Sequence, residues 1–319
     1  MTAGSIFEKP LLVIVGPTAI GKTALSLRIA GHCDCEIVSV DSMQVYRYMD
    51  IGTAKASLAE RREIPHHLID IVNPDETYDA ARFAEDALLV IREIHARGKL
   101  PLLTGGTGLY LRALLEGIFP GAPSDKEVRA RLRLRLQTEG SSKLHEELAA
   151  VDRLSAERIH ENDTQRLLRA LEVYYSTGLP WSEHLKDHQS QAMPTRFTNA
   201  FELGLTCDRH LLYERINRRC EKMLDDGLEG EVKNLLEMGY HWQLKAMGAI
   251  GYRHMVGYLH REYSWQKMAD LLARDTRRYA KRQYTWFRTM AALRWYEVKE
   301  EEEIMAAVDS WRAQQDRGE

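Results

Sequence analysis

The chain has 319 residues, enough for one large domain or two modest ones around a substantial core. Its 44% hydrophobic and 29% charged content is that of a soluble globular protein, and its first apolar run, Leu11–Val15, is far too short to span a bilayer. The net charge of −3 does not exclude a nucleic-acid partner, because Arg274–Arg294 sets seven arginines and lysines against the single acid Asp275 while acids collect at Asp225–Glu237 and Glu297–Glu303.

Near the start, Glu8 interrupts a stretch with no basic-then-apolar order, so no secretory signal is expected. Leu11–Val15 reads as a strand buried on both faces, as do Ile37–Val40, Leu68–Ile71, Leu100–Leu103 and Leu203–Thr206. Between them, Asp79–His95 places Phe83, Ala87, Ile91 and Ile94 on one helical stripe, with Asp79 as N-cap. Cys33 and Cys35 form a C-x-C pair without a second pair at zinc spacing. With Cys207 and Cys220 they read as structural cysteines of a reducing cytoplasm.

Alternation of strands and helices predicts an α/β fold: a P-loop NTPase-like parallel sheet flanked by helices, with ligands at the carboxyl ends of its strands. The pattern breaks at Phe119–Ser124. Helices are expected at Lys126–Gln137, Lys143–Ala149 and Thr164–Thr177, and a loop at His184–Asn199. Residues 1–123 thus begin the core, 124–200 form an all-helical insertion domain, and 201–319 complete the core. That last part carries helices at Arg209–Asp226, Leu228–Met238, Tyr252–His260 and Ser264–Leu293.

The strongest motif is Gly16-Pro17-Thr18-Ala19-Ile20-Gly21-Lys22-Thr23, a G-x-x-x-x-G-K-[ST] loop between a strand and a helix. Its glycines let backbone N–H groups wrap a phosphate, Lys22 supplies a mobile cation, and the Thr23 hydroxyl is a ligand for Mg²⁺. Alone, the loop leaves open a nucleoside triphosphate or another diphosphate. Two further segments fall at strand ends. Asp41, in Asp41-Ser42-Met43-Gln44, can bind Mg²⁺, accept a proton or cap a helix. Thr107, in Thr104-Gly105-Gly106-Thr107-Gly108, can donate to a ligand that Gly105-Gly106 lets approach, or serve as an N-cap.

These segments together resemble the tRNA dimethylallyltransferase (tRNA isopentenyltransferase) family. The resemblance rests on GPTAIGKT, on Asp41–Lys55, on Pro65–Ile71 and on Gly105–Gly117. It continues through Asn162–Pro180, Ala249–His254 and Tyr279–Arg288, covering most of residues 10–298. Ala56, Asp79, Thr104 and Cys220 depart from that family's usual residues without removing a group the chemistry needs. The lack of a zinc-finger tail is similar to its compact bacterial form.

The resemblance implies transfer of a dimethylallyl group from dimethylallyl diphosphate to N6 of adenosine 37, beside the anticodon of tRNAs reading codons that begin with U. By motif, Gly16–Thr23 would hold the diphosphate, Asp41 would be the general base, and Thr107 and Lys22 would assist. The tRNA would meet Asp41, Ser42, Met43, Gln44, Thr107 and Arg129. It would also meet Gln165, Arg166, Leu167, Leu168 and Arg169, and Gly248, Ala249, Ile250, Gly251, Tyr252 and Arg253. Mg²⁺ is the implied cofactor, and the protein is expected to be a cytoplasmic monomer with no membrane partner.

Residue chemistry agrees with these roles. A poorly nucleophilic exocyclic amine gains from a carboxylate that takes its proton, and an allylic diphosphate leaving group needs positive charge around its oxygens. Arg215 and Arg219, four apart on one helical face, are candidates to close over the diphosphate or are a solvated basic face. Arg274, Arg277, Arg278, Lys281, Arg282 and Arg288 interleave with Tyr279, Tyr284, Trp286 and Phe287, as an RNA-facing surface or an amphipathic helix would. Arg129, Arg131, Arg133 and Arg135 read in part as a solvated face paired with Asp125 and Glu127.

Overall fold

The computed structural model describes residues 7–117, 125–190 and 197–315; the break at 119–124 lies outside them. In chain order the elements are β1 (Leu11–Val15), α1 (Lys22–Cys33), β2 (Cys35–Val40), α2 (Leu58–Glu63), β3 (His66–His67), α3 (Ala80–Ala96), β4 (Leu100–Gly105) and α4 (Gly108–Leu115). There follow α5 (Lys126–Glu139), α6 (Ser141–Val151), α7 (Arg153–Arg158), α8 (Thr164–Thr177) and α9 (Trp181–Ser190). Last come β5 (Ala200–Thr206), α10 (Arg209–Asp225), α11 (Leu228–Glu237), α12 (Tyr252–Leu259), α13 (Trp265–Phe287), β6 (Arg294–Glu297) and α14 (Glu301–Gln315). Two compact units result, a helical one of Glu116–Pro194 and an α/β one of Ser5–Leu115 with Thr195–Glu319.

The α/β unit is built on one parallel sheet in the order β3-β2-β4-β1-β5-β6. Every residue of β1 and β2 is buried, which is why β1 runs apolar without alternation; in β2 the buried Glu36 is paired with Arg97 and His67. On one face β1 and β4 pack with α3, α4, α11 and α12, through Phe83, Ile91, Leu111, Val232 and Met255. On the other they meet α1, α10 and α14 through Ile29, Ile216 and Val308. Helix α13 serves both layers, giving Met268 and Phe287 to one and Leu272 and Ala280 to the other. Asp79 caps α3 as expected, its carboxylate accepting from the N–H groups of Ala81 and Arg82.

Register sets the site. Gly105 lies opposite both Val15 and Val40, so β1, β2 and β4 end side by side and deliver residues 16, 41 and 106 to one edge. The helical unit has its own core, with Leu132, Leu144, Leu148, Leu167 and Leu171 fully buried.

Several elements differ from the sequence reading, the short helices α2 and α7 among them. The run Leu68–Ile71 is not a strand: Leu68 and Asp70 have φ of 60° and 57°, and pairing falls on His66–His67 instead. Residues 181–190, expected to be loop from His184, are helical. Beyond α13, the edge strand β6 and the helix α14 were both unforeseen.

Candidate active site

Between β1 and α1 the chain turns through Gly16 (φ 152°), Ala19 (φ 64°) and Gly21 (φ 114°), the positive-φ backbone of a tight glycine-containing loop. Ala19 holds a left-handed conformation that costs a non-glycine residue about 1 kcal/mol, as strained functional loops do. Lys22 Nζ folds back to donate to the carbonyl oxygens of Gly16 and Pro17, 2.9 Å each. Burial and the neighbouring Arg219 charge bring Lys22 down to about 7, against the raising influence of Asp41. Thr23, in the first turn of α1, is exposed.

At the end of β2, Asp41 Oδ1 accepts from the N–H groups of Met43 (2.8 Å) and Gln44 (3.3 Å), closing a tight turn. Thr107 starts α4. Its Oγ1 accepts from the Ser42 N–H at 3.0 Å, which ties the β4 loop to the Asp41 loop. Tyr279 of α13 hydrogen-bonds Thr107, while burial and then the Asp41 charge push its own hydroxyl above the ordinary tyrosine value.

Gly105 and Gly106 are small for reasons inside the protein rather than for a ligand. A Cβ on Gly105 would lie 2.1 Å from the Val40 carbonyl oxygen, and one on Gly106 would lie 2.2 Å from Gln283 Nε2. Gln283, buried on α13, accepts from the Thr18 N–H at 2.8 Å and donates to the Gly106 carbonyl at 2.9 Å. One amide therefore fixes the phosphate loop against the β4 loop.

A cavity of about 290 Å³ opens on this floor. Thr18, Asp41, Arg219, Tyr279 and Arg282 line it with polar groups, and Met43, Met223, Ile250 and Leu272 supply apolar wall. Arg219 and Arg215 part company here. Arg219 lines this cavity, whereas Arg215 donates to the Ile20 carbonyl at 2.8 Å and lines a second cavity behind the loop. Arg215 thus braces the backbone that Arg219 faces from the other side.

Ser42, Met43, Gly248, Ala249, Ile250 and Arg253 also line the main cavity. Gln44 and Tyr252 do not. Gln44 accepts from Ser39 Oγ and donates to the carbonyls of Thr53 and Ala54, so its amide holds its own loop rather than reaching for a base. Tyr252 is fully buried and donates to Glu231, whose carboxylate also takes the N–H groups of Asp50, Ile51 and Gly52. Gly251 begins α12 at φ 97°. Lys55 completes this loop by donating to Asp50, Asp70 and the Tyr46 carbonyl.

In the helical unit Leu167 and Leu168 are buried, so their side chains hold α8 in its bundle and are corrected from partner contacts to core. Gln165 and Arg166 are exposed. Arg129 and Arg169 share the fully buried carboxylate of Glu172, at 3.7 and 3.2 Å. Of the remaining arginines of α5, Arg133 is exposed as a solvated face requires, while Arg135 pairs with Glu139 and Glu147, Arg131 lies over the Tyr175 ring, and Asp125 caps the helix.

Along α13 the aromatics turn inward. Phe287 is buried, Trp286 fits against Gly108, and Tyr284 meets Thr206. Arg253, Arg274 and Arg278 surround Asp275 with His254. Burial would raise Asp275, but hydrogen bonds from Arg274, Arg253 and His254 outweigh it and hold the carboxylate below its ordinary range. Sequence reasoning missed Gln283 and Thr276. Their signal was available: two polar residues on the stripe 276-280-283-287, which the helical period directs into the core.

A glycine-rich phosphate loop, with a carboxylate and a threonine at adjoining strand ends and arginines opposite, defines a P-loop-type protein built to handle a phosphorylated ligand. The model of the IPP transferase family matches residues 44–290, and the chain belongs to that family. It is 54% identical over 304 residues to a tRNA dimethylallyltransferase of Desulfotalea psychrophila, covering 95% of this chain and 96% of that one. It is 49% identical over 302 residues to tRNA dimethylallyltransferase 2 of Syntrophus aciditrophicus, again covering 95% and 96%. Among solved structures, the full-length tRNA isopentenylpyrophosphate transferase of Bacillus halodurans superposes with a TM-score of 0.71 at 39% identity, over 97% of this chain and 99% of that one. A eukaryotic dimethylallyltransferase solved acting on tRNA gives 0.75 at 29% identity, over 91% and 74%.

Proposed function

We propose that this chain transfers the dimethylallyl group of dimethylallyl diphosphate to N6 of adenosine 37 in tRNAs reading codons that begin with U. It would act as a monomer in the cytoplasm, where its four free thiols stay reduced. The observation that carries the reading is the main cavity, which joins phosphate-loop Thr18, the strand-end carboxylate Asp41, three arginines and an apolar wall in one space. The curated relatives named tRNA dimethylallyltransferase match over nearly the whole chain, which supports the reading.

In this reading the N6–C bond forms as the allylic C–O bond breaks, and the N6 proton passes to Asp41. Loop N–H groups, Lys22 and Arg219 offset the negative charge gathering on the departing diphosphate, while the apolar wall keeps water from the allylic carbon. Thr107 and Tyr279 orient the strand-end loops around the base. Mg²⁺ would be held through the Thr23 hydroxyl. That group is exposed in the first turn of α1 and makes no side-chain hydrogen bond among the described residues, and a cation that keeps most of its water needs few protein ligands. Bound there, it would neutralise diphosphate charge. Exposed Gln165 and Arg166 of the helical unit are further tRNA contacts in this proposal, with the Arg129 and Arg169 guanidinium groups beside Glu172.

The test is incubation of purified protein with radiolabelled dimethylallyl diphosphate, Mg²⁺ and unmodified tRNA bearing adenosines at 36, 37 and 38. Label at adenosine 37 is expected. Absence of label in the RNA, with ATP turned over onto a small molecule instead, would overturn the reading.

The low value of Lys22 gives a second expectation. Its cationic form, which attracts diphosphate, dominates below about pH 7 and is lost as pH rises through that value. A bound diphosphate restores the charge, so binding at a pH about one unit higher takes up a proton. Calorimetric titration with inorganic diphosphate should therefore show a buffer-dependent enthalpy in the wild type and little in Lys22→Arg. An enthalpy independent of buffer in the wild type would place Lys22 away from the anion. For stability the sign is opposite: the unfolded chain keeps this proton up to 10.5, so the group adds stability as pH rises from about 7 towards 10.5.

A further inference from the structure

Far from the phosphate loop, at the other end of α1, three donors of different chemistry converge. His32, Cys33 and Asp309 place a ring nitrogen, a sulfur and a carboxylate oxygen all within 4.8 Å of one another. His32 and Cys33 end α1, and Asp309 comes from α14, its Oδ1 lying 2.9 Å from His32 Nε2. Asp34, left-handed at φ 50°, turns the chain from α1 into β2, which opens on Cys35. Cys33 and Cys35 are buried while His32 and Asp309 are exposed, so the cluster has both a sheltered thiol pair and a route from solvent.

We propose that Cys33, His32 and Asp309 form a binding site for a thiophilic divalent cation of the zinc type, the open side facing solvent. Thiolate, imidazole and carboxylate are the ligand set that such ions select, and their donor atoms around zinc lie about 3.5 Å apart. The three donor atoms, within 4.8 Å of one another, already lie close to that spacing. The C-terminal end of α1 adds the negative pole of its dipole. Helix α1 has 12 residues and spans about 18 Å, so the ion would touch no substrate; it would staple α1 to α14 and steady the helix that carries Lys22. The site is independent of the prenyl-transfer reading.

Chelator-stripped protein titrated with Co²⁺ should develop a thiolate-to-cobalt charge-transfer band saturating at one equivalent, and zinc should abolish it. The band is expected to disappear in Cys33→Ser and to persist in Cys207→Ser. Asp309→Asn, a surface change that leaves folding intact, should weaken zinc binding by about tenfold or more and remove the rise in Tm that zinc gives the wild type. A wild type without the band, or a band equally strong in Cys33→Ser, would overturn the site.

Discussion

Replacement of Asp41 by asparagine is expected to slow prenyl transfer by about a thousandfold while leaving tRNA affinity within about twofold of wild type. The choice of asparagine follows from the turn at the end of β2. Asp41 Oδ1 receives the N–H groups of Met43 and Gln44, and an amide oxygen can accept both, so Ser42 and Met43 keep their places on the cavity wall. What asparagine cannot do is take a proton from N6. Single-turnover transfer and filter binding of tRNA separate the two effects. Asp41→Ala should lose rate to a similar degree and also some tRNA affinity, because it releases the turn. An asparagine variant with nearly wild-type rate would mean that proton removal belongs to another group, and Tyr279, beside Thr107 and within the field of Asp41, would be the one to examine.

How much of this was legible in the sequence depends on what each element buries. β1, β2, β4 and β5 carry short apolar runs because both faces are covered, and their positions were readable to within three residues. β6 (Arg294-Trp295-Tyr296-Glu297) lies at the sheet edge with exposed ends, so neither a run nor an alternation marks it. α14 hid behind its own cap. Glu301, Glu302 and Glu303 look like an acidic tail, yet carboxylates in a first turn favour the helix dipole, and Ile304, Val308 and Trp311 follow at helical spacing. The misplaced strand at Leu68–Ile71 has another cause. Leu68, Ile69 and Ile71 are apolar, but Asp70 sits at positive φ and pairs with Lys55 and Arg61, a restraint that local pattern does not contain.

The site shows the same division. Gly16–Thr23, Asp41 and Thr107 were visible because phosphate loops and strand ends carry local signatures. Arg215 and Arg219 share one helical face, so spacing could not tell that one would brace the loop at Ile20 and the other line the cavity. Gln283 required the tertiary fold. Nothing near it in sequence says that α13 lies across two strand-end loops, and only its polarity on a buried stripe hinted at a partner.

Gly105→Ala should be the most disruptive single change in the glycine-rich segment after β4. Its backbone is ordinary, without positive φ, so the objection to alanine is space alone. The added carbon would sit 2.1 Å from the Val40 carbonyl oxygen and 2.4 Å from its carbon, atoms of the neighbouring parallel strand rather than of a side chain that can swing away. β2 and β4 would have to part at the point where they present Asp41 and Thr107, and the Thr107 N–H bond to Val40, 3.1 Å, would go with them. A loss of about 3 kcal/mol or more is expected, the upper range for forcing atoms into a packed interior. Gly106→Ala is the informative contrast. Its Cβ meets the end of the Gln283 side chain, which can withdraw, so that variant should fold with a smaller penalty and lose its bridge to Thr18 instead. Denaturant unfolding with a prenyl-transfer assay on the folded fraction distinguishes them: Gly105→Ala should fail chiefly in stability, and Gly106→Ala chiefly in turnover and diphosphate affinity. Equal stability for the two variants would show that the β2–β4 spacing has slack at this point, and that the two loops are positioned by the Gln283 amide more than by the strands.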